Sequence, residues 1–148
     1  MLIDQIRADL ITATKAKDVL RQRTLRSAIA AVQEAQVSGA AATTLDDDAV
    51  QAVLKSQVKR RLDAAEAFDS GGAGDRAADE RAEIEVLETY LPEALTADEL
   101  DGIVRAVFAA NGFETKADMG SAMKAVNAEV AGRADGRAVA DLVKSRLS

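Results

Sequence analysis

The sequence contains no cysteine and no histidine. Structural zinc sites, haem ligation through those side chains, thiol nucleophiles and histidine-dependent triads are thereby excluded, because each needs a group that is absent. Disulfides are excluded with them, which is compatible with a reducing cytosol. Tryptophan is missing, proline occurs once, as Pro92, and the aromatic residues are Phe68, Tyr90, Phe108 and Phe113. With so few rings, stacking on single-stranded bases is not expected. Long apolar runs are also lacking. The longest uncharged stretch, Ala35 to Leu45, has 11 residues and is polar besides, well short of the ~20 apolar residues that a bilayer-spanning helix needs. The opening MLIDQIRADL carries Asp4 and no basic start before an apolar run, so no signal peptide is expected. A cytoplasmic protein with no membrane and no metal partner is the expectation.

What the chain has in abundance is alanine. Of its 148 residues 32 are Ala, against 39 larger apolar groups, so its cores must be thin and closely packed. Alanine loses no side-chain entropy in a helix, while sheets favour branched and aromatic residues. Apolar spacing is helical nearly throughout and predicts seven helices. The first four cover about Ile3–Lys17, Val19–Val37, Asp46–Phe68 and Asp75–Tyr90, with a polar connector over Ser38–Thr44. In the third, Val50, Val53, Leu54, Val58, Leu62, Ala65 and Phe68 are expected to be buried. Three glycines within SGGAG stop that helix, and Pro92 closes the fourth. Thr96 and Glu99 then form a capping-box signature, with Leu95 and Leu100 as a hydrophobic staple. Three shorter helices follow, separated near Gly112 and Gly132. The predicted fold is all-α and multihelical, with a larger N-terminal helical subdomain over residues 1–93 and a small three-helix subdomain over 94–148.

Charge is unevenly spread. The whole chain carries -6, but residues 1–61 hold 10 basic and 7 acidic groups, 62–114 hold 3 and 14, and 115–148 hold 6 and 4. Basic surfaces can therefore stand at either end while the middle repels a polyanion. Glycines 71, 72 and 74 follow a helix and lack the Gly-Lys-Ser/Thr ending of a phosphate loop, so an interhelix loop is the better reading. Glu80, Glu83, Glu85 and Glu88 offer oxygen ligands or paired carboxylates, against the alternative of a solvated helix face, which is favoured. Met119 and Met123 share a stripe with Val126 and Val130 and read as core. Among the cations, Lys116 and Lys124 share a helix face with Gly120 and Asn127, and Arg133, Arg137 and Lys144 follow across the last connector and helix. A second group comprises Lys15, Lys17, Arg21, Arg23 and Arg26 with Lys55, Lys59, Arg60 and Arg61. Such side chains suit phosphate contact, although from pattern alone ordinary solvated faces are the favoured reading.

The segments DLITATKAKDVLRQRTLRSAIAAVQEAQV, VLKSQVKRRLDAAEAF and ERAEIEVLETYLPEALTADEL resemble the YqeY-like family. MGSAMKAV followed by GRADGRAVADLVKSRL is similar to the tail domain of the GatB subunit of tRNA-dependent amidotransferase. That resemblance implies contact with tRNA through positions matching the tail motif: Gly120, Lys124, Gly132, Arg133, Asp135 and Arg137, joined on the basic face by Lys116 and Lys144. Gly136 stands where the tail often has proline, which loosens the connector while Asp135 still caps the helix. Carbon–nitrogen ligase activity with glutamine as amido donor attaches by family association only, since the catalytic cradle is absent from this chain. The function expected is a tRNA-binding accessory module without cofactor, partnering tRNA and an amidotransferase or other protein. The alternative is a non-enzymatic helical scaffold for protein interaction.

Overall fold

A computed structural model describes residues 1–39 and 43–148, so residues 40–42 of the expected polar connector lie outside the described residues. All regular elements among the described residues are helical: α1 (Leu2–Lys15), α2 (Val19–Val37), α3 (Asp47–Ser70), α4 (Gly74–Glu88), α5 (Ala97–Asn111), a short 3-10 turn (Lys116–Asp118), α6 (Met119–Val130) and α7 (Gly136–Arg146). The fold is all-α and multihelical. Two compact units divide the chain, Met1–Leu91 and Pro92–Ser148.

Local chemistry explains where the helices begin and end. Asp18 and Asp46 accept the backbone N–H of Arg21 and Ala49 at 3.1 and 2.8 Å, satisfying donors that have no partner inside the helix. Asp47 performs the same service for α1 from a distance in sequence, accepting the Leu2 N–H at 2.8 Å. In front of α5 both halves of the Thr96–Glu99 capping box are formed. At the end of α3, Gly72 takes φ +76°, and the Gly72 and Ala73 N–H groups turn back to the carbonyls of Asp69 and Phe68. This is a Schellman stop, for which glycine is the natural residue. The end of α1 has the same bonding, Lys17 N–H to Thr14 and Asp18 N–H to Ala13, yet the left-handed position is held by Lys17 at φ 57°.

In the N-terminal unit, α3 packs most extensively on α4 and α1 on α2, and α4 also lies against α2. Ile6, Leu25, Val32, Val50, Leu54 and Leu87 are fully buried there, each contributing about 1.5–3 kcal/mol on transfer from water. Two expectations need correction. Leu62 is 45% exposed rather than buried, because the inward side of α3 at that level is given to Arg61. Glu83 does not belong to a solvated face: it is buried, accepting the Arg23 Nε at 2.7 Å and the Arg61 Nε at 2.9 Å on separate oxygens. Arg61 also donates to Gln57 and to Ser27, each at 3.2 Å. The guanidinium thus ties α2, α3 and α4 together. A second polar tie joins the end of α4 to α1, where the Tyr90 hydroxyl donates to Asp9.

Candidate functional site

The C-terminal unit places its cations by the way its core is built. Val104 of α5, Val126 and Val130 of α6, and Val139 and Val143 of α7 are fully buried against one another. Met119 and Met123 pack against this cluster. With Ala122, Val126 and Val130 turned inward, the opposite side of α6 carries Gly120, Lys124 and Asn127, all exposed. The same logic on α7 leaves Arg137 and Lys144 exposed.

The loop before α6 and the last residue of the chain hold each other. Ser148 donates its N–H and its hydroxyl to the Glu114 carbonyl, both at 3.0 Å. The Lys116 N–H donates in return to the Ser148 carbonyl oxygen at 3.3 Å. Asp118 fixes the loop from the other side, accepting the N–H groups of Glu114 and Thr115 at 2.9 Å each. Those donors hold its carboxyl below the usual carboxylate range. The result is a groove of about 350 Å³ lined by Lys116, Met119, Lys144 and Leu147. Its lining is mainly apolar, drawn from the side chains of those four residues.

The remaining predicted site residues stand elsewhere on the unit. α7 returns along α6, since Lys144 reaches the groove at the α6 start while Arg137 lies at the other end of its helix. Arg133 closes α6: its Nε and Nη2 donate to the carbonyls of Val130 and Glu129 at 3.0 and 2.9 Å, which the helix itself leaves without partners. Its own carbonyl accepts the Leu95 N–H at 2.8 Å. Gly132 sits in the connector at φ +76°, after Ala131 at φ 49°. Asp135 is the cap of α7, accepting the Ala138 N–H at 3.4 Å. At Gly120 a Cβ would meet nothing within 4 Å, so its backbone is open to solvent. The cations are therefore distributed along the ~18 Å of a twelve-residue helix, with Lys116 and Lys144 at one end, Arg133 and Arg137 towards the other, and Lys124 between.

Their electrostatic state differs from that of their neighbours. Arg105 and Arg146 both pair with Asp101, the former at 2.6 Å. Hydrogen bonding from Arg146 and then Arg105 depresses the Asp101 carboxyl below its ordinary range. Lys116, Lys124, Arg137 and Lys144 form no ion pair among the described residues. What sequence reasoning missed is the groove, because it depends on Ser148 folding back on Glu114, for which no periodicity gives a signal.

A family model for Yqey-like proteins matches residues 3–147. The chain belongs to the YqeY-like family. The YqeY-like match runs through both compact units, so it includes the Glu83 cluster as well as the basic groove. No curated protein matches the chain. Among the described residues no helix is long and apolar enough to cross a membrane, and no three carboxylates gather in a way that could hold a metal ion.

Proposed function

We propose that the chain is an RNA-binding accessory module whose C-terminal unit docks on the folded backbone of tRNA by charge and shape, as its resemblance to the amidotransferase tail implies. One observation carries this reading: Lys116, Lys124, Arg137 and Lys144 are exposed and form no ion pair among the described residues, while the unit's other exposed cations, Arg105 and Arg146, are spent on Asp101. An unpaired surface cation can release counterions from a phosphate backbone without first breaking a bond within the protein. Arg133 adds the part of its guanidinium not used on α6, Gly120 leaves the backbone approachable, and Asp135 positions Arg137 by capping its helix. Base specificity is low, because phosphate contacts carry no sequence information.

Equilibrium binding of the full chain to purified tRNA tests the reading. Four phosphate contacts give an affinity that falls by about two orders of magnitude between roughly 50 and 200 mM salt. Absence of salt-sensitive binding at micromolar protein would remove it. The scaffold alternative is favoured by a different observation, the exposure of Leu62 midway along α3 at 45%. Co-purification of a stoichiometric protein after nuclease treatment supports that alternative, and its loss in Leu62→Ser would place the contact on α3.

A further inference from the structure

The neutral polar side chains of the C-terminal unit are almost all consumed within it. Thr96 accepts the Glu99 N–H and Thr115 donates to Asp118. Asn111 donates to the Val107 carbonyl, and Ser145 and Ser148 donate to those of Leu142 and Glu114. Of the seven such side chains in the unit, Ser121 and Asn127 are left over. Both are exposed on α6, and neither side chain has a hydrogen-bond partner among the described residues. Inside a helix such groups can turn back to the carbonyl four residues earlier, as Thr12, Thr14, Thr24 and Asn111 do here. Ser121 and Asn127 do not, and both are poorer helix formers than the alanine that fills this chain. Neither capping, packing nor helix propensity therefore accounts for them.

Spacing gathers the two round a cation. Ser121, Lys124 and Asn127 follow at intervals of three, so they share one face of α6, the face turned away from the buried Ala122, Val126 and Val130. Lys124 stands midway, ~4.5 Å along the axis from each. Gly120 and Ala128, four residues to either side of Lys124, carry nothing long enough to hold a ligand off. Lys124 supplies charge alone, which a phosphate of DNA or of RNA answers equally. The hydroxyl and the amide beside it each offer a donor and an acceptor. The group next to a phosphate that answers in kind is the ribose 2′-hydroxyl, itself donor and acceptor.

We infer that this face of α6 lies along the shallow minor groove of an RNA helix, with Lys124 on a phosphate and Ser121 and Asn127 hydrogen-bonded to the 2′-hydroxyls of the sugars beside it. The inference rests on the RNA-binding reading and adds to it the means by which RNA is told from DNA, which cations on phosphates do not provide.

The experiment uses the full chain with one RNA duplex prepared in two forms, the second carrying 2′-fluorine in place of every 2′-hydroxyl. Phosphate charge and A-form geometry are the same in both, while fluorine removes the donor. The hydroxyl duplex is expected to bind about tenfold more tightly, equivalent to about 1.4 kcal/mol, which two hydrogen bonds of ordinary net strength supply. The salt slopes for the two should agree, because equal numbers of phosphates are contacted. The double variant Ser121→Ala with Asn127→Ala leaves the hydrogen bonds described within the unit in place, and it should bind the two duplexes alike. Its salt slope should match that of the parent, since no charge is removed. Equal binding of the two duplexes by the parent chain overturns the inference while leaving backbone docking intact, and so does a preference that survives in the double variant. Absence of salt-sensitive binding to both duplexes and to tRNA overturns the inference and the RNA-binding reading together.

Discussion

Removing the Glu83 carboxylate is the sharpest test of how the N-terminal unit is held together. The Glu83 and Arg61 side chains are each 12% exposed, whereas Arg23 is 58% exposed. In Glu83→Gln the Arg61 guanidinium stays nearly buried and loses its only carboxylate. Gln57 and Ser27 remain as neutral acceptors, so the loss belongs towards the lower end of the ~3–5 kcal/mol typical of a broken buried pair. Arg23 is close enough to water to add little. The double variant Arg61→Met with Glu83→Leu removes both charges and fills the space with apolar groups, and such replacements are often neutral. It should lie within about 1 kcal/mol of the parent chain, and so be about 2 kcal/mol or more stabler than Glu83→Gln. Urea unfolding followed through tyrosine emission suits the measurement, because the single tyrosine, Tyr90, lies in the N-terminal unit. A Glu83→Gln change within about 0.5 kcal/mol of the parent, the usual range of surface substitutions, would refute the reasoning. So would a double variant no stabler than Glu83→Gln.

Three further outcomes follow from the same geometry. Burial, and next the hydrogen bond to Asp9, push the Tyr90 phenol up to about 12; its contribution to stability is complete below the unfolded value near 10 and is lost as pH rises towards the folded one. Tyrosinate absorbance should therefore titrate well above 10 while the chain is still helical, and a midpoint near 10 in a folded sample contradicts this. The Asp118 and Asp101 carboxyls are held below their ordinary range, so their contribution is present above pH ~4 and disappears as pH falls through the lower folded values. Asp118→Asn should lower the melting temperature at neutral pH and flatten the acid limb, and an unchanged acid limb would refute that role. Lys17 occupies a left-handed position that suits glycine. Lys17→Gly should raise stability by up to about 1 kcal/mol, since the relief at φ 57° exceeds the extra chain entropy of glycine; a loss in urea unfolding would show that Lys17 is unstrained.

The helices were legible in the sequence because their signals are local. Asp46, the Thr96–Glu99 pair and Gly112 end or begin helices through atoms within a few residues of each other. The Glu83 cluster is hidden from the sequence for the opposite reason. Its partners Arg61 and Arg23 lie 22 and 60 residues away, and the acids around it suggested a uniform solvated face. A signal was nevertheless present: Glu83, Val86, Leu87 and Tyr90 repeat at i, i+3, i+4 and i+7, which puts the carboxylate on the buried stripe. On α3 the same geometry turns Arg61 inward and pushes Leu62 to the edge. At the basic site, the exposure of Lys124 and Arg137 could be read from helical spacing, since apolar neighbours at three and four residues define the opposite face. The meeting of Lys116 with Lys144 could not, because it is set by hydrogen bonds between Ser148 and the loop at Glu114.

The dependence of tRNA affinity on salt, measured for the parent chain and for a variant with Lys116, Lys124, Arg137 and Lys144 all replaced by alanine, bears most directly on the claim that these cations contact phosphate. For the parent, the logarithm of affinity should fall against the logarithm of salt with a slope of about -3 to -4. The variant, still helical and folded, should show a slope no steeper than about -1, the share left to Arg133, and weak binding. Equal slopes for the two proteins would contradict the account, since the counterions released would then belong to other residues.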